Sequence, residues 1–254
     1  MTKLMKKEWK ELIKTGKFYA LLFVFLFFSI SSPLIAKFTP EIVKSLVKEQ
    51  SAEILIKLPP PTWKDSFIQF FKNLNQLIFL VLVIVFIGSI SEEKNKGTAV
   101  MVVVKGIDRR KWVLSKFIFQ VLTASVLLFI SYFICLYYSF LLFPATKIIP
   151  SFSATILYAI YIIFILSLTT FSSSVGKNII QSGGIFFGFF VILNLLSIFP
   201  RLNPYNPMYL SSLENKFILQ AIDWGLAIKP IISTIILSIL LIYFGAWYFN
   251  REEL

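Results

Sequence analysis

Two adjacent carboxylates, Glu92 and Glu93, follow a long apolar run, and paired carboxylates at a membrane face are one route to an activated water. Such sites also need histidine to hold a metal or take the proton, and the chain has no histidine. That absence removes most zinc sites and the serine triads as well. The single cysteine, Cys135, lies inside an apolar run, which excludes an internal disulfide and a cysteine metal cluster. No G-x-x-x-x-G-K-[ST] phosphate loop occurs, so the chain does not bind ATP in that way. The sequence therefore offers no catalytic, cofactor or metal residues and does not read as an enzyme. What remains is electrostatic. Two carboxylates at a helix C-terminus oppose the helix dipole and gain from a cationic partner, within the chain or on another protein.

The elements that would position them are membrane helices. Of 254 residues, 57% are hydrophobic, and the charges fall in blocks between uncharged runs. Six spans are predicted: 18–35, 74–90, 113–143, 152–175, 179–199 and 230–249. None is expected to carry an ionisable side chain in its interior. The first is longer than a signal-peptide core and is read as a span. No soluble domain, repeat or low-complexity tract interrupts residues 1–254, so the fold class is a single all-α integral membrane domain.

Residues 1–17 pattern as an amphipathic helix. Leu4, Met5, Trp9, Leu12 and Ile13 fall on one side and five lysines on the other, as in a helix lying in the membrane interface. The net charge of +12 sits beside spans and suits lipid headgroups better than nucleic acid. Lysine and arginine in the short loops favour both termini in the cytoplasm of a multi-pass plasma-membrane protein. The first outer segment, 36–73, runs against that bias with six lysines and four acids. Within it, Thr39 and Pro40 predict the start of a helix with Ile42, Val43, Leu46, Val47 and Ile54 at helical spacing, stopped by Pro59–Pro61. Thr62 and Asp65 then predict a capped helix running into the second span. Trp63, Phe67, Phe70 and Phe71 are expected as an outer aromatic belt. Pro200, Pro204 and Pro207 break the segment before the last span, which is either an external loop or a stretch that dips back onto other spans. Gly184 and Gly188 make a small-xxx-small face for helix packing or a transport path. Hydroxyls from Ser167 to Ser174 either bond their own backbone or line a polar path, and the first is expected because hydroxyls satisfy helix carbonyls readily.

The most informative stretch is Ser91–Lys116. Gly97 can end one helix, Thr98 can cap a short one, Gly106 can end that, and Asp108 can cap the next. The short helix carries Ala99, Val100, Met101, Val102, Val103 and Val104, which are apolar all round, so one side must meet headgroups or a partner protein. Arg109, Arg110 and Lys111 mark the boundary of the third span.

These residues resemble a family. Glu93, Lys94, Gly97 and Thr98, the apolar patch Ala99–Val104, Arg109 and Lys116 are similar to the segment between spans two and three of ABC-2 type ABC transporter permeases. The N-terminal amphipathic helix, six spans and broken loop before span six extend the resemblance over the whole chain. Asp108 departs from the proline or serine often found nearby in that family. The resemblance implies a permease subunit that exports an amphipathic or lipidic compound, a drug or a peptide. Two copies of a separate ATPase subunit would supply ATP and Mg, and a second permease subunit, identical or not, would complete the path. The ATPase would meet Glu92, Glu93, Gly97, Thr98, Val100–Val104, Gly106, Asp108 and Arg109, with Leu4, Trp9, Leu12 and Ile13 facing the interface. The alternative is a non-transporting polytopic scaffold or sensor. The orientation is tested with reporter fusions after residues 100 and 215: the first should report as cytoplasmic and the second as external, and the reverse result overturns the topology.

Overall fold

The computed structural model describes residues 2–46, 60–104, 106–219 and 222–252, without the side chains of 2, 3, 44–46, 102 and 103. It is all-helical among those residues. Helix α1 is Thr2–Lys14, and Gly16 at φ +73° turns the chain into α2, Lys17–Leu46. Then come α3 (Trp63–Asn73), a π-helical turn (Leu74–Ile78), α4 (Phe79–Phe86), and the short α5 (Ser91–Asn95) and α6 (Thr98–Val104). The long helices α7 (Arg109–Leu142), α8 (Ile148–Val175) and α9 (Ile179–Leu196) follow. Two 3₁₀ turns, α10 (Leu210–Leu219) and α11 (Trp224–Arg251) complete the chain.

Six of these stretches are long and apolar enough to cross a membrane: Lys17–Val43, Trp63–Asn95, Arg109–Leu142, Ile148–Val175, Ile179–Leu196 and Trp224–Arg251. They correspond to the six expected spans, with most ends extended. Helical hydrogen bonding continues through charged residues until a cap stops it, so hydropathy alone places the ends short. At ~1.5 Å per residue α7 is about 50 Å long, well beyond a ~30 Å hydrocarbon core.

Expectations for the first outer segment need correction. No new helix begins at Thr39. The Thr39 hydroxyl donates back to the Ile35 carbonyl at 2.6 Å, and α2 runs through both Pro33 and Pro40. Ser32 likewise donates to Phe28, and such back-bonding eases the bend a proline imposes. Val47, Ile54 and Pro59 lie outside the described residues. Second, Trp63, Phe67, Phe70 and Phe71 are not an interfacial belt. They are buried, packing on Tyr132 of α7 and Tyr158 of α8. Spacing marks an apolar face but not whether lipid or protein covers it.

The caps at Thr62 and Asp108 fall where expected, whereas Thr98, expected as a cap, is the first residue of α6 and its hydroxyl donates back to the Glu93 carbonyl. Thr62 donates through its backbone N–H and its hydroxyl to Asp65, each at 2.8 Å. Asp108 accepts from Arg110 N–H at 2.8 Å. Gly97 and Gly106 sit at φ +68° and +72°, where side chains are strained. Part of the hydroxyl run of α8 behaves as expected: Ser167, Thr169 and Ser174 donate to carbonyls one turn back, whereas Thr170 and Ser173 also serve neighbouring helices.

Ala99, Ile90, Trp112, Val113, Ala246 and Phe249 form a separate apolar cluster at one end of the bundle. Lys94 at that end reaches the Ser174 carbonyl and Glu252. Lys37 reaches the Leu142 carbonyl and Lys64 the Leu219 carbonyl at the other. The helices thus alternate in direction. Within this chain and among the described residues, the close helix contact is not at Gly184 or Gly188, where an added Cβ would meet nothing within 4 Å. It is at Gly245 of α11, where a Cβ would stand 2.7 Å from Ser174 Oγ and 3.3 Å from Phe171 Cα of α8. Gly245→Val should cost about 1–3 kcal/mol of stability by overpacking, whereas Gly184→Ala and Gly188→Ala should not lower the melting temperature of the solubilised chain and should raise it slightly through helix propensity.

Candidate functional site

The site is built around one lysine. Lys116 stands two turns into α7, its side chain 2% exposed. A buried ammonium must be paired to keep its charge. Lys116 Nζ donates to both Glu8 carboxylate oxygens, at 2.8 and 2.9 Å, and to Glu93 Oε1 at 2.7 Å. Lys7 donates to both Glu93 oxygens, at 2.8 and 2.9 Å. Two carboxylates and two ammonium groups therefore cancel, and α1, α5 and α7 are tied at one point. Trp112 adds its ring 5.1 Å from Lys116 Nζ.

Glu8 is buried beside a second carboxylate. Burial pushes its carboxyl up from the ordinary range, against the pull of Lys116, and the Glu93 charge adds to the push. The carboxylates of Glu8, Glu11 and Glu93 converge closely enough to hold a cation, but here lysine ammonium groups already supply the counter-charge.

Beside the cluster lies a cleft of about 250 Å³ lined by α1, α4, α5 and α7. Gln120 at its edge donates to Ser89 at 2.9 Å and accepts from Thr170 of α8 at 3.0 Å. Ser173 Oγ accepts from the N–H groups of Ile90 and Ser91, at 2.9 and 3.1 Å. Those donors are freed where the second span breaks at residues 87–90, a break the sequence pattern did not suggest.

The structure separates the residues that the sequence grouped together. Glu93 is turned inward and its carboxylate is consumed by Lys7 and Lys116. Glu92 is partly exposed and pairs with Lys96 at 3.6 Å. Thr98 begins α6, and its hydroxyl donates to the Glu93 carbonyl at 3.2 Å. Ala99 is buried, whereas Met101 is 65% and Val104 80% exposed, with Val100 between. The side chains of Val102 and Val103 lie outside the described set. Arg109 donates to the Glu252 carbonyl at 2.6 Å, joining the end of α11 to the start of α7.

On α1, Leu12 is buried, Leu4 and Ile13 are half-buried, and Leu4 packs on the apolar cluster around Ala99. Trp9 is largely exposed, with its ring edge-on to Phe18. Sequence reasoning missed Glu8, Lys7 and the burial of Lys116. The last falls inside the expected third span, so the expectation of spans without ionisable interiors fails there. A signal was available: Glu8 interrupts the lysine run of α1 one turn before Leu12.

The match to known proteins covers most of this architecture. Residues 54–254 match the family described as "Protein of unknown function (DUF2705)". The chain belongs to that family. It is also 22% identical over 260 residues to YxlG of Bacillus subtilis (strain 168), an uncharacterized transmembrane protein, across 100% of this chain and 98% of the relative. The DUF2705 match takes in Glu93 and Lys116 but begins after α1, so one side of the ion cluster lies inside it and Glu8 outside. The chain is thus a multi-pass membrane protein of the DUF2705 family.

Lys116→Met should leave Glu8 and Glu93 buried without their main cation and cost about 3–5 kcal/mol, read by thermal unfolding. Adding Glu8→Gln and Glu93→Gln to it should restore much of that loss. A triple variant no more stable than Lys116→Met would show that the cluster is not an electrostatic unit.

Proposed function

We propose that this chain is the permease subunit of an ATP-binding cassette transporter of the ABC-2 type. It exports an amphipathic or lipidic compound, a drug or a peptide, and a separate ATPase subunit binds the ATP and Mg. The observation that carries this reading is α6. One side is held against the chain's own core through Ala99, and the other presents Met101 and Val104 without cover. An exposed apolar helix on a charged membrane face suits insertion into a groove on a partner.

The ion cluster supports the same reading. A push on α6 passes to α5 through the Thr98–Glu93 bond, and from Glu93 to α1 and α7 through Lys7 and Lys116. Helix α1 then acts as an interfacial helix and α6 as a coupling helix, both on the cytoplasmic side. On this reading ATP binds to the partner, in keeping with a sequence that carries no phosphate loop. Helix α9, with Gly184 and Gly188 facing outward, offers a surface for the second permease subunit.

Met101→Asp with Val104→Asp should lower recovery of the co-expressed phosphate-loop ATPase about tenfold, because each carboxylate would enter an apolar groove unpaired. The chain itself should remain folded, since both positions are exposed. If no ATPase accompanies the wild-type chain, the reading is wrong and the scaffold or sensor alternative takes its place.

A further inference from the structure

At the end of the bundle opposite the ion cluster, the chain between α9 and α11 turns back inward. Asn206 donates to the Leu193 carbonyl at 2.7 Å, Met208 lies at the Tyr161 hydroxyl of α8, and α10 then runs outward until Lys64 of α3 meets the Leu219 carbonyl. Of the readings of this segment, packing on other spans is the one the structure has: Leu210, Leu213, Phe217 and Ile218 are buried.

The same buried face carries Glu214, with no exposed surface. Its Oε1 accepts from the Asn75 amide, and its Oε2 has no hydrogen-bond partner among the described residues. Asn75 belongs to the π-helical turn Leu74–Ile78, the kind of irregularity that recurs at functional sites. The Asn75 Oδ1 and Tyr158 hydroxyl atoms are also buried and unpartnered among the described residues.

We propose that Glu214 is a proton-binding site and that the bound proton holds α10 in its re-entrant seat. The argument is one of charge. On α8 the titratable groups facing it are the hydroxyls of Tyr158 and Tyr161, which supply no positive charge. On α3, Lys64 is spent on the Leu219 carbonyl and Lys72 is exposed. Lys216 of α10 turns to the Tyr209 hydroxyl, Asp223 caps α11, and Lys229 is exposed. An ionised carboxylate here would be buried with one amide for company. Burial accordingly holds the Glu214 carboxyl well above the usual carboxylate range. A metal cation would ask for several oxygen ligands at once, whereas a proton asks for one. When the proton leaves to bulk water, the carboxylate must be hydrated, and α10 has to move out for water to reach it.

The sign follows from linkage. A carboxyl raised in the seated state favours seating at low pH, and that contribution falls as pH rises from the free glutamate value through the raised one. The site does not rest on the transporter reading.

The test is hydrogen–deuterium exchange of residues 210–219, corrected for intrinsic rates, on the full chain in lipid nanodiscs from pH 5 to 10. Protection in the wild type should fall about tenfold per pH unit over the window where one proton is released. Glu214→Gln, which mimics the protonated group, should hold protection constant. Infrared difference spectra should show a protonated carboxyl band at neutral pH that Glu214→Gln removes. Flat protection in the wild type overturns the proposal even if the variant is not recovered. So does an equal fall in both proteins, or wild-type protection that rises with sodium or potassium at fixed pH and ionic strength.

Discussion

A buried ammonium has to be answered by buried carboxylates, and that constraint organises one whole end of this protein. Lys116 is out of contact with water, and its answering charges come from Glu8 and Glu93, 108 and 23 residues away in sequence. Breaking such a pair costs several kcal/mol. Helix α1 is therefore a part of the bundle. Because α6 hangs from α5 at Thr98 and Glu93, its orientation is inherited from the same pairing.

The two ends of the bundle handle buried charge differently. Near α1 the charges are matched in number and tightly bonded, which makes that end a rigid joint. Near α10 a single carboxyl is buried without a cation, and neutrality depends on a proton that solvent can exchange only if the helix moves.

Between them, the helices are held by ordinary apolar packing with polar pins. Gly245 lets α11 approach α8, Gln120 links Ser89 to Thr170, and Ser173 satisfies the donors freed at the break in the second span. The hydroxyl-rich end of α8 thus serves its own carbonyls and, through Ser173 and Thr170, its neighbours. Helix α9, by contrast, buries only Ser182 and Phe186 and leaves its glycines facing outward.

Local chemistry was legible in the sequence. Six apolar runs, the glycine breaks at 97 and 106, and the caps at Thr62 and Asp108 follow from hydropathy, backbone freedom and short-range hydrogen bonding, all of which act within a few residues. Burial and pairing were not legible, because they depend on what the fold brings opposite. Trp63 and Phe67 carry the same residue types whether lipid or Tyr132 covers them. The sequence left open whether the cation that answers Glu93 lies in the chain or on another protein, and the fold brings Lys7 and Lys116 to it; nothing in the residues around Glu214 announces its burial on the inward face of α10. Residue types and spacing determined that six apolar stretches form helices and where the caps at Thr62 and Asp108 and the glycine breaks fall. Only the tertiary structure decided which charges are buried, since a side chain's exposure is a property of its neighbours and not of its own position in the chain.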